Sequence, residues 1–396
     1  MIRFKTSVFF KIWFFLFFCG MGFLIPQISA YFYNELKIES PGTIFLTGQL
    51  LMPVGALLSG YISDKTLHAR NIIFIKSILA AISIYFLAAI SQGKYKEYIF
   101  EYALFFWPAV TFAVGGIIPL IDVFFLQSDN DPVYFGHSRL YGTAGFLSAN
   151  IPFLFLKIDP SEIMKFSFVF ILASSFLLYF FPEKRKPRQS EKASVHLDQF
   201  YKIIKSKLML FFLIMMFFFF FGYSTAEYII SAYLADVDFI VSPIPFIWII
   251  GTSVEIIFFM VSPLIIKKKG IMAILGFGLI AGAVRNFILW ALSPGFLVLI
   301  SQFLHGVQFS GGYMGSLLFL EKKTHPRRLA TAQAIYLIFS RSLGAGAGAY
   351  FLGNLASEKE FKSVFLIAAI FSFISFLIFW FFRFYQRKYK NFVERQ

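Results

Sequence analysis

The sequence is poor in cysteine and in charge. Among its 396 residues there is one cysteine, and Asp, Glu, Lys and Arg together make up 14%. A single cysteine excludes a disulfide framework and a cysteine-based metal site within one chain. Soluble domains carry about a quarter charged residues, so this chain has too few to cover a water-exposed surface. The low charge therefore excludes an ordinary soluble protein.

Two chemical signatures are also missing. No segment reads G-x-x-x-x-G-K-[ST], so we expect no phosphate-binding loop for ATP in this chain. The five histidines, at positions 68, 137, 196, 305 and 325, are scattered and form no metal-spaced cluster with acidic residues. A membrane-embedded enzyme or sensor is therefore a remote alternative, and we expect neither enzymatic activity nor a metal or organic cofactor.

Long apolar segments are abundant, and 58% of the residues are hydrophobic. A helix that crosses a bilayer needs about 20 mostly apolar residues. Twelve segments meet this requirement, approximately 9–33, 43–63, 71–92, 102–126, 136–156, 163–181, 208–233, 243–266, 271–292, 295–320, 329–354 and 361–383. The sequence therefore predicts an all-α membrane protein with twelve transmembrane helices.

Basic residues are distributed unequally between the two sides of the predicted membrane protein. With both termini inside, 25 of the 36 Lys and Arg residues are cytoplasmic and seven lie on the opposite side. The other four, Lys76, Arg139, Arg285 and Arg341, lie within spans. This asymmetry follows the positive-inside rule and accounts for the net charge of +15 without a nucleic acid partner. We predict a multi-pass protein of the inner (plasma) membrane with both termini in the cytoplasm.

A long basic loop divides the spans into six and six. We predict an N-terminal six-helix bundle at residues 1–181, a cytoplasmic basic linker at 182–207 and a C-terminal six-helix bundle at 208–396. Two six-helix halves joined by such a linker resemble the architecture of the major facilitator superfamily. The resemblance implies two pseudo-symmetric bundles and a substrate site near the middle of the membrane.

The loop after helix 2 resembles the cytoplasmic loop signature of that superfamily, G-x-x-x-D-[RK]-x-G-[RK]-[RK]. The matching residues are Gly60, Asp64, Lys65 and Arg70. Leu67 or His68 stands where a glycine is usual, so the turn is less typical. An acid at a helix end can pair with basic groups and hold one conformation. We predict a conformational latch here, with a solvated charged loop as the alternative.

Ionisable residues inside predicted spans are the main functional signal, because each is costly to bury in a bilayer. The first half has Asp122 on helix 4 and Arg139 at the start of helix 5. The second half has Glu255 on helix 8, Arg285 on helix 9, His305 on helix 10 and Arg341 on helix 11. Each is a candidate for substrate binding or proton transfer, with a purely structural ion-pair network as the alternative.

Two segments resemble the lactose-permease-like branch of the superfamily, which includes phenylpropionate and nucleoside permeases. They are RLYGTAGF from Arg139 and QFLHGVQF from Gln302. In lactose permease an acid, an arginine and a histidine on helices 8, 9 and 10 couple proton to sugar. The resemblance therefore implies proton coupling by Glu255, Arg285 and His305.

The same resemblance implies which residues contact substrate, and at one position this sequence differs from lactose permease. Asp122 and Arg139 match the acid and arginine that contact sugar in lactose permease, although a salt bridge within the first half is equally open. Gln308 replaces a second acid one turn after the histidine and cannot titrate. The proton role would then fall on Glu255, with His305 as its hydrogen-bond partner. The predicted substrate-binding residues are Asp122, Arg139, Gln308 and Arg341.

These observations predict a secondary active transporter that takes up a small organic solute with protons by alternating access. Aromatic acids, oligosaccharides and nucleosides remain open as substrates, and the aromatic side chains that could stack on a ring are Tyr223, Tyr228, Trp248 and Tyr313. A proton-driven exporter or an uncoupled facilitator of the same fold is the alternative. The expected partners are the solute and the lipid bilayer, the coupling ion is the proton, and we expect a monomer.

Overall fold

The structure is a computed structural model of the chain. It describes residues 6–66, 69–91, 96–127, 135–180, 201, 203–235, 243–292, 296–324 and 329–393. Within these ranges every regular element is helical. The helices are numbered here so that each carries the number of the predicted span with which it coincides.

Six helices form in the first half of the chain. They are α1 (Thr6–Ala30, extended by the π-helical turn Tyr31–Glu35), α2 (Pro41–Thr66), α3 (Ala69–Ala89), α4 (Ile99–Gln127), α5 (Phe135–Asn150) and α6 (Pro160–Leu177). Short 3₁₀ turns precede α4 and follow α5 and α6, at Lys96–Tyr98, Pro152–Leu154 and Leu178–Phe180.

Six further helices form in the second half, two of them interrupted. They are α7 (Lys207–Tyr228, continued by Ile230–Ala235), α8 (Pro243–Lys269), α9 (Ile271–Ala291), α10 (Phe296–Lys323), α11 (Leu329–Leu337, then the π-helical segment Ile338–Ala345, then Gly346–Ser357) and α12 (Phe361–Val393). Every predicted span therefore coincides with a helix, and the prediction of an all-α protein is confirmed.

Nine spans within the described residues are long and apolar enough to cross a membrane. The other three helices, α5, α10 and α11, do not meet this criterion of length and hydropathy, each for a physical reason. α5 has 16 residues, α11 is interrupted by its π-helical segment, and α10 carries polar side chains such as Gln302 and His305. All three helices that miss the criterion thus carry candidate site residues, namely Arg139 on α5, His305 and Gln308 on α10, and Arg341 on α11.

The chain divides into two compact units. Unit 1 comprises residues 1–191 with 227–256, and unit 2 comprises residues 192–226 with 257–396. Most of the predicted linker, at 182–200 and 202, lies outside the described residues. The predicted domain boundaries therefore stay a prediction.

Within unit 1, glycines let neighbouring helices approach closely. A methyl group at Gly55 of α2 would overlap the carbonyl oxygen of Phe112 on α4, and one at Gly115 of α4 would overlap that of Met52. Membrane helices lack a hydrophobic drive to associate, so small residues that allow backbone contact are a main source of packing. The α2–α4 contact is therefore close enough to exclude even alanine.

Within unit 2, glycines likewise allow close contacts between α9 and α10 and between α7 and α11. A Cβ at Gly311 of α10 would lie 2.8 Å from the backbone of Gly278 on α9. Gly344 on α11 lies equally close to α7, where an added Cβ would be 2.7 Å from the carbonyl oxygen of Phe217. These contacts place α9 directly against α10 and α7 directly against α11.

Candidate functional site

Arg285 is the centre of the polar residues in unit 2. It lies on α9 and its side chain is fully buried, with 0% exposure. Its Nη1 donates long hydrogen bonds of 3.5 Å to Thr225 Oγ1 and to Asn286 Oδ1. Its Nε and Nη2 have no hydrogen-bond partner among the described residues. A guanidinium has five N–H donors, so most of its capacity is unused.

A hydrogen-bond network holds the residues beside Arg285. Thr225 Oγ1 on α7 donates to Asn286 Oδ1 at 2.9 Å, and Asn286 Nδ2 donates to the Gly222 carbonyl at 3.1 Å and to Ser372 Oγ at 3.2 Å. The network therefore links α7, α9 and α12. Thr225 and Asn286 were not predicted from the sequence, because most candidates there are ionisable or aromatic side chains. An amide directly after an arginine inside a span is a signal that could have found Asn286.

Gln308 is buried against the same face of α9. A Cβ at Gly282, one turn before Arg285, would lie 2.6 Å from Gln308 Nε2. The Gln308 side chain has 0% exposure, and neither its Nε2 nor its Oε1 has a partner among the described residues. Buried side-chain amides are nearly always hydrogen-bonded. A buried donor and acceptor are therefore both unused at this position.

One tyrosine ring brings two further predicted residues together. His305 on α10 stacks on Tyr223 of α7, with ring centroids 5.8 Å apart and planes 12° from parallel. The Arg341 guanidinium lies 5.9 Å from the centroid of the same Tyr223 ring and 5.3 Å from that of Phe220. Arg341 belongs to the π-helical segment of α11. Such segments are rare and occur often at functional sites.

These residues form what we call the unit 2 polar cluster. Its members are Tyr223, Thr225, Arg285, Asn286, His305, Gln308 and Arg341. The cluster combines aromatic faces with hydrogen-bond donors and acceptors that the protein itself does not fully use. Such a set can bind a polar, ring-containing ligand by stacking and by hydrogen bonds. Four residues that the sequence predicted, Arg285, His305, Gln308 and Arg341, are among its members.

The remaining predicted coupling and substrate residues lie elsewhere. Glu255 is on α8, in a part of the helix that belongs to unit 1, and its side chain is partly buried. Asp122 lies on α4 and Arg139 on α5, but their side chains are outside the described part of the structure. The roles of all three stay predictions.

The predicted latch is described only in part. Gly60 lies in α2 with open space around it, since a Cβ there would meet nothing within 4 Å. The Arg70 guanidinium at the start of α3 lies 5.5 Å from the centroid of the Tyr179 ring. The side chains of Asp64 and Lys65 are outside the described residues. The latch therefore stays a prediction.

Two of the aromatic candidates, Tyr228 and Trp248, belong to unit 1. Tyr228 accepts a hydrogen bond from Gln49 Nε2, and its ring centroid lies 4.6 Å from that of Phe45. Trp248 Nε1 donates to Ser231 Oγ at 3.2 Å. Tyr313 instead stacks on Phe309 in unit 2, with centroids 5.8 Å apart. These three aromatic candidates are thus engaged by other side chains outside the unit 2 polar cluster.

Comparisons with known proteins agree over most of the chain. Residues 8–367 match the model of the MFS_1 like family. The nucleoside permease NupG of Escherichia coli K12 is 22% identical over 372 residues, which cover 88% of this chain and 86% of NupG. YegT of the same organism is 25% identical over 326 residues, which cover 77% of this chain and 73% of YegT.

A solved structure shows the same fold. The crystal structure of the nucleoside transporter NupG superimposes with a TM-score of 0.79 at 20% identity, covering 96% of this chain and 99% of that one. This confirms the predicted major facilitator fold. The family match over residues 8–367 makes the protein a multi-pass membrane transporter and not an enzyme. It belongs to the MFS_1-like family of the major facilitator superfamily.

Proposed function

We propose that this transporter takes up nucleosides in symport with protons by alternating access. The observation that carries the proposal is the unit 2 polar cluster, in which Arg285 and Gln308 have buried polar atoms without partners. A buried donor or acceptor left unpaired costs about 1–3 kcal/mol, more for a charged group. A ligand that pairs these atoms would recover that free energy on binding.

A nucleoside has the chemistry that this cluster can recognise. Its base presents hydrogen-bond donors and acceptors along one edge and an aromatic face on each side. The unused N–H groups of Arg285 and the amide of Gln308 could form hydrogen bonds with the edge of the base. The Tyr223 ring could stack on the face of the base. Base–aromatic stacking contributes about 1–3 kcal/mol per base in nucleic-acid-binding proteins.

The relatives favour nucleosides over the other two substrate classes that the sequence leaves open. NupG, which covers most of this chain, is named as a nucleoside permease. An oligosaccharide would use the hydrogen-bonding groups but has no aromatic face for Tyr223. An aromatic acid would place a carboxylate at Arg285 but would offer no matching acceptor and donor to the Gln308 amide.

Alternating access accounts for the burial of the cluster. Arg285 and Gln308 are not accessible in this conformation, so a ligand can reach them only in another one. A transporter that opens to each side in turn supplies such a conformation, and the ligand shifts the population toward it by its differential affinity. The inner membrane as location, cytoplasmic termini and a monomeric state are part of this proposal.

Glu255 is the proposed proton carrier, assisted by Arg285 and His305. Of these three, Glu255 is the carboxyl group, and it lies on α8 within a predicted span. Replacing it by glutamine keeps the size and polarity of the side chain but removes the titrating proton. We therefore expect Glu255→Gln to lose proton-driven accumulation while retaining exchange of substrate, which needs no net proton movement.

Purified protein in proteoliposomes tests both halves of the proposal. Uridine, adenosine, lactose and phenylpropionate would be supplied in turn, with proton movement followed by an internal pH dye and exchange by counterflow of labelled compound. Counterflow of a nucleoside and not of lactose or phenylpropionate would support the substrate class. Nucleoside counterflow without proton movement in the wild-type protein would identify an uncoupled facilitator and contradict proton symport.

A further inference from the structure

Unit 1 contains a deeply placed lysine that the proposed function does not use. Lys76 lies on α3, and its side chain is 8% exposed. Its Nζ donates hydrogen bonds of 3.0 Å to the carbonyl oxygens of Gly55 on α2 and of Phe112 on α4. Both carbonyls lie near the middle of their helices. The Lys76 nitrogen is therefore held far from either end of the helices around it.

The site is shaped for this nitrogen by small residues. A Cβ at Gly116 of α4 would lie 2.7 Å from Lys76 Nζ and would overlap Ser59 Oγ of α2. Ser59 Oγ itself donates to the Gly55 carbonyl at 2.6 Å. Glycine at position 116 thus leaves the space that the lysine nitrogen and the serine hydroxyl occupy.

Among the described residues, the groups around Lys76 Nζ are uncharged. Helices α2, α4 and α6 pack against α3. Their described charged groups are Glu101, which is exposed, and Glu162 and Lys165, which pair with each other. Arg70, on α3 itself, lies over Tyr179. The side chains of Asp64, Lys65 and Asp122 are outside the described residues. Within the described part of unit 1, Lys76 makes no ion pair.

The geometry suits both protonation states of the side chain. A neutral amine has two N–H donors and one lone pair, and two carbonyl oxygens are present to accept from those donors. The charged form has a third N–H, and Nζ lies 3.9 Å from the centroid of the Phe112 ring, within range of a cation–π interaction. A buried charge is costly in a membrane, and a water molecule that reaches the site can accept the proton.

We propose that Lys76 is a second proton-carrying residue of the transport cycle. In each cycle one N–H bond of the ammonium breaks, the electron pair stays on Nζ, and the proton passes to a water molecule on the side where the site is open. The neutral amine then takes a proton from water when the site opens to the other side. This inference rests on the proposed proton-coupled function and adds a residue in unit 1 to it.

The test compares Lys76→Met and Lys76→Gln with wild type and with Lys362→Met, which removes an exposed lysine at the start of α12. Uridine accumulation driven by an inward proton gradient and uridine counterflow at equal pH are measured in proteoliposomes. We expect both Lys76 variants to lose at least about tenfold in gradient-driven accumulation while counterflow stays within about twofold of wild type. Lys362→Met is expected to match wild type in both measurements.

Three outcomes would overturn the inference, and they are distinguishable. Equal loss of accumulation and counterflow would make Lys76 a structural residue that only fastens α2 to α4. Unchanged accumulation in both variants would mean that Lys76 carries no coupled proton. Uridine counterflow by the wild-type protein without gradient-driven accumulation would show that transport is not coupled to protons, and this would also refute a proton-carrying role for Lys76. Absence of uridine counterflow in wild type would instead exclude uridine as a substrate, and the same two measurements with adenosine would then decide the role of Lys76.

Discussion

Lys76 in unit 1 and Arg285 in unit 2 are both cationic side chains buried in membrane-spanning helices, but their hydrogen bonding differs. Lys76 donates two bonds of 3.0 Å to carbonyl oxygens and lies over an aromatic ring. Arg285 makes only contacts of 3.5 Å and leaves two nitrogens without partners among the described residues. The first site is complete without a ligand, whereas the second is not.

The difference follows from what surrounds each group. Lys76 reaches backbone carbonyls because glycines on α2 and α4 leave them exposed to a third helix. Arg285 is surrounded by side chains that already bond to one another, such as Thr225 to Asn286. A buried polar group that its own protein does not satisfy is costly, and a ligand that supplies the missing bonds would offset that cost. The comparison therefore distinguishes a self-contained site from one that leaves hydrogen bonds for the proposed substrate.

The largest expected effect comes from removing Arg285, the buried cation whose hydrogen bonding is incomplete. We expect Arg285→Leu to lower nucleoside uptake by about 100-fold, because two hydrogen bonds from a charged group are lost. The thermal stability of the variant should be equal to or above that of wild type, since an underpaired buried charge is replaced by an apolar side chain. Uptake in proteoliposomes and melting in detergent measure the two effects.

Arg285→Lys provides the matched control, because it keeps the charge and loses the planar, multidentate geometry. We expect it to be nearly as inactive as Arg285→Leu. Uptake by Arg285→Leu within a factor of about three of wild type would show that the guanidinium does not contact substrate.

The next effect concerns the α2–α4 contact on which the Lys76 site depends. An added methyl at Gly55 would overlap a backbone carbonyl, which cannot move aside as a side chain can. We expect Gly55→Ala to lower stability by about 1–3 kcal/mol, the usual cost of overpacking, and to lower the melting temperature in detergent. Gly60→Ala on the same helix has open space and should melt like wild type. Equal melting of the two variants would contradict the close packing.

The smallest expected effect comes from replacing Gln308, the uncharged residue of the unit 2 polar cluster whose hydrogen bonds are unmade. Gln308→Leu keeps most of the volume and removes the unpaired amide, so we expect about a tenfold loss of nucleoside uptake. The control is Gln302→Leu on the same helix, where the amide already donates to Ser301 Oγ at 3.0 Å. It should affect uptake less. A larger loss in Gln302→Leu than in Gln308→Leu would show that an unpaired amide does not identify a substrate contact.

Much of the fold can be predicted from the sequence because a membrane imposes a local rule. A run of about 20 apolar residues is sufficient to predict a spanning helix, and each of the twelve predicted spans coincides with one. The exceptions are local departures within helices. The π-helical segment Ile338–Ala345 in α11 has no recognisable sequence signature, and this segment carries Arg341.

The candidate site was predictable in part. Arg285, His305 and Arg341 were found because ionisable residues are rare in membrane spans. Gln308 was found through a family resemblance. Thr225 and Asn286 were missed, since a threonine or an asparagine in a span is common enough to carry little information by itself.

By itself, the sequence determined that the protein is a helical membrane transporter and which of its helices carry charge, because hydropathy and ionisable residues can be read without knowing any contact. Only the tertiary structure decided which buried polar groups are paired. The partners of Lys76 are backbone carbonyls of two other helices, and every residue has such a carbonyl. Whether a carbonyl is within reach depends on helix packing, and that is the physical reason why the sequence could place Lys76 in a span but could assign it no role.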